Sequence, residues 1–194
     1  MDASKKAITQ RIQSIIKDET LNNLIPEIID SFNEFSLSKN EFLVKKGDPC
    51  RYFCFVESGI LQYAVTVSGQ EKTTYLALRN GFASSLKSFL QQTPSPKNIK
   101  ALSACKLWGL TIGDFKHLIK NNRAFHQFYY NFIENQIFLI DDYRIDLLTL
   151  TPEERYKKLL VNEPKLLQEV PLHYLASFLG ISTRHMSRIR KNIN

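Results

Sequence analysis

The feature that most limits what this chain can fold into is a spacing pattern close to its C-terminus. Small and apolar residues recur there at positions that suit two short helices packed across a turn: Leu175, Ala176, Leu179, Gly180, Ile181, Met186 and Ile189. The small side chain of Ala176 lets the two helices approach, and Gly180 can adopt positive φ where the first helix ends. We therefore predict two helices joined at Gly180, with Ser182 as the N-cap of the second helix.

The second of these helices carries polar and basic side chains on its outward side. The outward residues are Thr183, Arg184, His185, Ser187, Arg188 and Lys191. Between Pro171 and Asn194 the chain has four arginine or lysine residues and no acidic residue. Such donors can reach the phosphates and base edges of DNA when a helix enters the major groove, as in a helix-turn-helix. A helical hairpin with a solvated basic face is the alternative.

Residues 113–148 predict one long helix, because the segment is apolar in helical spacing and has no internal proline or glycine. Its apolar residues lie almost all round, and a helix that is apolar on two faces needs two partners. One stripe suits packing on the rest of the chain. The second predicts a homodimer seam, and its residues are Tyr130, Ile133, Ile137 and Ile140. Burial of both stripes within one monomer is the alternative.

Residues 36–112 are rich in Phe, Tyr, Val, Ile and Thr, and turn residues interrupt them at short intervals. The predicted strands are Glu41–Lys45, Tyr52–Glu57, Gly59–Val67, Lys72–Leu78 and Ala101–Thr111. This pattern indicates an antiparallel roll or barrel. An insert at 82–98 interrupts the roll and contains a short predicted helix from Ser84 to Leu90. Residues 1–35 predict N-terminal helical packing, since isoleucines recur there at helical spacing.

A hinge is predicted near residues 148–151. Thr151 has the features of an N-cap, Pro152 suits the first helical position, and Glu154 completes a capping box. We therefore divide the chain into three parts. These are residues 1–115 for the N-terminal helices and β-roll, 116–149 for the dimerisation helix and hinge, and 150–194 for the helix-turn-helix.

The composition excludes several classes of protein. The chain has 194 residues, 43% of them hydrophobic, which is typical of a globular protein and not of a disordered one. No apolar run approaches the roughly 18–20 residues that span a bilayer, so we expect no membrane partner. Three cysteines do not form a disulfide framework, and a cytoplasmic location is expected. The net charge of +7 permits an acidic partner such as nucleic acid.

Three segments of the chain resemble the CRP/FNR family of bacterial transcription regulators. They are Leu43-Val44-Lys45-Lys46-Gly47-Asp48, Phe53-Cys54-Phe55-Val56-Glu57-Ser58-Gly59 and Gly180-Ile181-Ser182-Thr183-Arg184-His185-Met186-Ser187-Arg188-Ile189. The resemblance implies an α+β fold with a jelly-roll-like antiparallel β-roll of the cyclic-nucleotide-binding type. A long dimerisation helix and a C-terminal winged helix-turn-helix would follow. Because the chain ends just after the second helix, we expect a reduced winged domain.

The resemblance also implies a function, namely a dimeric, sequence-specific regulator of transcription that binds a palindromic operator in double-stranded DNA. RNA polymerase is a further implied partner. The expected DNA-binding residues are Ser182, Thr183, Arg184, Ser187, Arg188 and Lys191. We predict that Arg184 and Arg188 read bases, while Ser182 and Ser187 contact phosphates. Arg184 stands where the family often has glutamate, so the family's operator sequence does not carry over.

The nucleotide cassette departs from the family pattern. The family supplies a glutamate for the ribose hydroxyl and an arginine for the cyclic phosphate. Alignment on Phe82, Leu86 and Phe89 places Ser85 at the glutamate position and Ser95 at the arginine position. Ser84 and Lys97 lie beside them. Lysine lacks the planar fork that pairs with a phosphate in two places. We predict that the roll does not bind cyclic AMP and that the protein has no cofactor. Whether the roll binds a different effector ligand is left open.

No residue pattern indicates a metal site or an active site. The iron–sulfur branch of the family needs four cysteines, and the four histidines show no metal-ligand spacing. No nucleophile and base stand in a recognisable motif, so we predict that the protein is not an enzyme. A sensing or adaptor module that acts by protein–protein contact is the alternative function. A third possibility, a regulatory subunit of an enzyme, would need catalytic sequence outside this chain.

Overall fold

The computed structural model describes residues 3–193. The predicted ranges that begin at residue 1 or end at residue 194 therefore extend slightly beyond the described residues. The chain begins with α1 (Ala3–Ile16), a 3-10 turn (Glu19–Leu24) and α2 (Ile25–Asp30). The buried isoleucines of these helices, such as Ile8 and Ile12, join the main core, as their spacing predicts. The N-terminal segment therefore packs against the roll.

In the described residues, eight strands follow, arranged in two four-stranded antiparallel sheets in the order β1-β8-β3-β6 and β2-β7-β4-β5. Their bounds are β1 (Asn33–Leu37), β2 (Phe42–Val44), β3 (Tyr52–Ser58), β4 (Leu61–Val67), β5 (Gln70–Ala77), β6 (Phe82–Ala83), β7 (Asn98–Ala101) and β8 (Cys105–Thr111). Phe53 and Phe55 on one sheet and Leu61 and Ile99 on the other are fully buried in the core. The predicted antiparallel roll is confirmed.

Two strand predictions need correction. Residues 33–35 are not helical, because β1 begins at Asn33 and pairs with β8 along its whole length. The predicted single strand Ala101–Thr111 is two strands in different sheets. β7 ends at Ala101, the chain crosses between the sheets, and β8 begins at Cys105. Local β propensity runs through the crossing and cannot show it.

The turn at Gly59, between β3 and β4, packs tightly against this crossing. Gly59 has a φ of +90°, and a Cβ atom there would collide with the backbone of Ala104 and the thiol of Cys105. Only glycine meets both demands without strain. The predicted turn is confirmed and has a steric reason.

The predicted single helix over 113–148 is wrong at one residue. The structure has α3 (Leu86–Gln91) in the insert, then α4 (Ile112–Asn121) and α5 (Arg123–Thr149), which are separated by Asn122 in an extended conformation. The side-chain oxygen of Asn122 accepts a hydrogen bond from the Phe125 amide, and its side-chain NH2 group donates to the Leu24 carbonyl and to the Glu27 carboxylate. Tertiary hydrogen bonds thus break a segment that has no local helix breaker.

The C-terminal part contains α6 (Pro152–Asn162), α7 (Pro164–Glu169), α8 (Leu172–Phe178) and α9 (Thr183–Ile193). The predicted capping box is present, since the Thr151 amide donates to Glu154 and the Glu154 amide donates to the Thr151 hydroxyl. The hydrogen bonds that the Thr151 amide and hydroxyl donate to the Glu154 carboxylate hold its pKa below the usual value. The four helices share a second core with three residues of the roll, namely Ile60, Leu76 and Leu102.

Candidate nucleic-acid interface and sensor cassette

The turn between α8 and α9 forms a Schellman motif. Gly180 has a φ of +72°, the Ile181 amide donates to the Ala176 carbonyl at 2.9 Å, and the Gly180 amide donates to the Ser177 carbonyl at 3.1 Å. The Ser182 hydroxyl then accepts a hydrogen bond from the His185 amide at 3.2 Å, as an N-cap does. The predicted turn and N-cap are both confirmed.

Apolar side chains hold α9 against α8. Leu175 and Ala176 of α8 are fully buried, together with Met186 and Ile189 of α9. Ile181 is half-buried against the same core. The spacing pattern of the sequence therefore forms the packed interface that it predicts, and this interface fixes the angle between the two helices.

The outward side of α9 is open to solvent. Its exposed residues are Thr183, Arg184, Ser187, Arg188 and Lys191. In the described part of the chain, no hydrogen bond or ion pair engages the side chains of Arg184, Arg188 or Lys191. Residues four apart lie on one face of a helix, so Arg184 and Arg188 present two guanidinium groups in the same direction.

The two serines differ in what they can offer a phosphate. Ser182 uses its oxygen as an acceptor for the His185 amide, which leaves its hydroxyl proton free to donate. The hydroxyl of Ser187 already donates to the Thr183 carbonyl at 2.9 Å. A contact from Ser187 to a phosphate must therefore replace that internal bond, whereas one from Ser182 need not.

His185 does not project freely with the outward residues. Its Nε2 atom lies 2.9 Å from Glu153 Oε1, and the residue is half-buried between α9 and α6. This hydrogen bond is the main reason that the pKa of Glu153 lies below its usual value. The pair attaches the first turn of α9 to α6, and the expectation of an outward His185 is wrong.

The structure brings together the two serines at the expected nucleotide positions. The side chains of Ser85 and Ser95 are 1% and 2% exposed, and their hydroxyl oxygens are 2.9 Å apart. Ser95 also lies 2.7 Å from the Lys97 carbonyl, to which it can donate. The Ser95 hydroxyl can donate to Ser85 or to the Lys97 carbonyl, and it accepts from the Lys97 amide at 3.3 Å, so the two serines are bonded within the chain.

The other two cassette residues border this pair. The Ser84 amide donates to the Tyr63 hydroxyl and the Ser84 hydroxyl donates to the Tyr52 carbonyl. The Lys97 ammonium lies 5.7 Å from the centre of the Tyr63 ring, and burial lowers the pKa of Lys97. The four cassette residues thus offer three hydroxyls, which are hydrogen-bonded to other groups of the chain, and one ammonium group, which lies over the Tyr63 ring.

The predicted seam lies on a largely solvent-exposed face of α5. Tyr130, Ile137 and Ile140 are each 59% exposed, and Ile133 is half-buried. The opposite face buries phenylalanines in the main core. In the single chain the seam is therefore uncovered, and the alternative that one monomer buries both stripes is wrong.

Within residues 3–193, no helix combines the length and apolarity needed to cross a membrane.

An apolar groove of about 530 Å³ runs along the N-terminal half of this seam. One wall is α5, with Tyr130 and Ile133 among its residues. The other wall comes from α3 and α4 through Leu90, Phe115 and Ile119. The seam is thus a recessed apolar surface here and a projecting one further along α5.

The cysteines are all buried in the free thiol form. Burial raises the pKa of Cys54 well above its usual value, which favours the protonated thiol. Among the described residues, no three His, Cys, Asp or Glu side chains are grouped so that they could hold a metal ion.

Three residues near the helix-turn-helix turn were missed by the sequence reasoning. The Tyr143 hydroxyl of α5 donates to the Phe178 carbonyl at 3.0 Å, and Arg155 of α6 donates to the Leu179 carbonyl at 3.1 Å. Ser177 of α8 accepts from the backbone of β5 at 2.9 Å. Each contact joins residues at least 24 positions apart, so no local pattern indicates it.

The β-roll, the long helix with an exposed apolar face and the C-terminal helix-turn-helix together form the fold that the resemblance implies. Residues 34–122 match the family model described as cyclic nucleotide-binding domain. That match covers the roll, α4 and Asn122, and it leaves the seam and the C-terminal helices to be compared through their structure.

Solved structures similar to the whole chain support the same fold. The catabolite activator protein of Thermus thermophilus is 19% identical, with a TM-score of 0.58 over 92% of this chain and 86% of that one. FixK2 from Bradyrhizobium japonicum is 13% identical, with a TM-score of 0.68 over 84% of each chain. The c-di-GMP responsive regulator CLP of Xanthomonas campestris is 16% identical, with a TM-score of 0.65 over 88% and 90%. The predicted resemblance is confirmed for the fold.

Proposed function

We propose that this protein is a dimeric, sequence-specific DNA-binding regulator of transcription and not an enzyme. The observation that carries the proposal is the outward face of α9, where basic side chains stand free beside a Schellman turn. A helix-turn-helix uses such a face in the major groove of DNA. The similar solved structures include proteins named as transcription regulators, which supports the proposal. RNA polymerase stays a predicted partner.

Dimer formation is proposed from the exposed seam on α5. Several large apolar side chains in a row at seven-residue spacing are costly to leave in water, and a second copy of the same helix can cover them. A two-fold dimer would place two α9 helices for the two halves of a palindrome.

The roll is proposed not to bind cyclic AMP. A cyclic phosphate buried without a guanidinium partner would be an unpaired anion in a poorly solvated site. The positions expected to supply the two charged groups hold Ser85 and Ser95, which bond to each other. Lys97 offers a single point charge beside them.

The central test is selection of bound sites from a random pool of double-stranded DNA by the full chain. We expect an enriched palindrome, and binding that weakens steeply with salt because phosphate contacts release counterions. No enriched palindrome would contradict the proposal. Binding to a protein with little salt dependence would favour the adaptor alternative instead.

Matched variants connect the result to α9. The double variant Arg184→Ala/Arg188→Ala should lose the selected preference. Arg79→Ala removes a charge from an exposed turn of the roll, far along the chain from α9, and should leave it unchanged. Equal effects of both changes would mean that the basic charge acts only through the general field of the protein.

A further inference from the structure

We infer that the roll holds the helix-turn-helix in its DNA-binding orientation through a direct contact between β5 and α8, so that no effector is needed. This inference rests on the proposed function and adds to it how the helix-turn-helix is positioned for DNA binding. Three sets of contacts carry it. They join the roll, α5 and α6 to α8 and to the turn that follows it, and this turn orients α9.

The first contact uses the free edge of a sheet. β5 is the outermost strand of its sheet, and the Thr73 amide donates to the Ser177 hydroxyl of α8 at 2.9 Å. On the roll side, the Gln62 amide group of the neighbouring strand donates to the Thr73 hydroxyl at 2.8 Å. Gln62 and Thr73 are both buried. A chain of hydrogen bonds therefore runs from the sheet into the first helix of the helix-turn-helix.

The second contact is apolar. Ile60, Leu76 and Leu102 of the roll belong to the same buried cluster as Leu175 of α8 and Leu179, the residue that follows α8. Residues of the roll and of the C-terminal helices thus share one core. A rotation of α8 away from β5 would expose this surface, so the docked arrangement is favoured without a ligand.

The third set of contacts holds the C-terminal end of α8. The last carbonyls of a helix lack partners within the helix. Here Tyr143 donates to the Phe178 carbonyl and stacks on the Phe178 ring with centres 5.5 Å apart, while Arg155 donates to the Leu179 carbonyl. Burial raises the pKa of Tyr143, which keeps its hydroxyl protonated as a donor.

The docked arrangement leaves the recognition surface free. The side chains that would contact DNA project from α9 and are exposed, whereas the docking contacts use α8 and the turn. Docking therefore orients α9 without covering it. In the roll, the hydroxyls of Ser85 and Ser95 are hydrogen-bonded to each other. Neither hydroxyl therefore needs an effector molecule as a hydrogen-bond partner.

The test uses the purified full chain with no ligand added. Its selected palindrome is prepared in two series, one with the distance between half-sites changed by single base pairs and one with single bases changed. We expect specific binding and a sharp preference for one spacing. Ser177→Ala and Tyr143→Phe should reduce the spacing preference by about tenfold while base preference is kept, as expected for a lost coupling between sites.

Two controls separate positioning from folding. Ser177→Thr keeps the hydroxyl and should retain the spacing preference. Thr74→Ala changes the next residue of β5, an exposed one, and should do the same. An unchanged spacing profile in Ser177→Ala would overturn the inference.

The wild-type chain gives two further outcomes. If it binds its selected site only after a cyclic nucleotide or a small-molecule fraction of a cell extract is added, the inference is overturned and the proposed function stands. If no site can be selected with or without such additions, the proposed function fails and the inference fails with it.

Discussion

At the scale of single residues, the side chains of α9 should divide into those that read bases and those that contact the backbone of DNA. Arg188 stands on the same face as Arg184, close enough to the helix start to reach a base edge. Arg188→Ala should cost about 1–3 kcal/mol and relax the preference at one base position, because a bidentate contact to guanine is lost. Competition binding with single-base variants of the site measures this.

Lys191→Ala provides the comparison. A lost phosphate contact weakens all sequences alike and lowers the salt dependence. If Arg188→Ala also weakened every sequence equally, then Arg188 would contact a phosphate and its assigned role would be wrong.

The cassette is a second prediction at the residue scale. Isothermal titration of the protein with cyclic AMP and with cyclic GMP should give no binding heat, since the pair of Ser85 and Ser95 supplies neither charged group that the ligand needs. A micromolar dissociation constant with one site per subunit would show that the pair opens and that other groups take the phosphate.

At the scale of elements, Asn122 decides where α4 ends and α5 begins. The residue is 2% exposed; two of its hydrogen bonds reach the N-terminal helices at Leu24 and Glu27, and a third caps the start of α5 at Phe125. Asn122→Ala removes a cap and leaves the Leu24 carbonyl without this partner, so we expect a loss of about 2 kcal/mol in the free energy of unfolding. Asn121→Ala, at the exposed neighbour, is the control in urea unfolding.

The seam on α5 gives a prediction with two opposite directions. Ile140→Asp places a charge from each chain into the proposed interface and should dissociate the dimer. Arg144 lies four residues further along the same face and is exposed, so Arg144→Leu should tighten the dimer by removing a like charge of each chain from the proposed interface.

Sedimentation over a range of concentrations measures both effects. Asn135→Asp adds the same charge to an exposed position of α5 outside the seam and should leave the association unchanged. A wild-type chain that sediments as a monomer at micromolar concentration would contradict the proposed interface.

At the scale of the whole molecule, a two-fold dimer should occupy two half-sites on one face of the DNA. Their centres should lie about one helical turn apart, roughly 34 Å. Hydroxyl-radical footprinting of the selected palindrome should show two protected regions with this separation. One protected region would mean that a single copy binds and that the seam has another role.

Across the whole molecule, the sequence predicted local features better than contacts between distant segments. The helix-turn-helix was accessible because Gly180, Ser182 and their apolar neighbours act within a few residues of one another. The sequence predicted the strands of the roll. It did not predict the crossing after Ala101, because strand propensity is high both before and after the chain changes sheet. The contacts of Ser177 and Asn122 depend on partners about a hundred residues away, so local spacing carries no sign of them.

The docking of α8 on β5 also bears on how the roll resists aggregation. An exposed edge strand offers unpaired N–H and C=O groups to other chains, and proteins commonly cover such edges. Here Ser177 takes the Thr73 amide, and the C-terminal helices cover Ile60, Leu76 and Leu102 beside it. Proteolysis at the hinge that released those helices would uncover a strand edge and an apolar surface together. The helices proposed to bind DNA therefore also cover the edge through which the roll would otherwise be open to pairing with another chain.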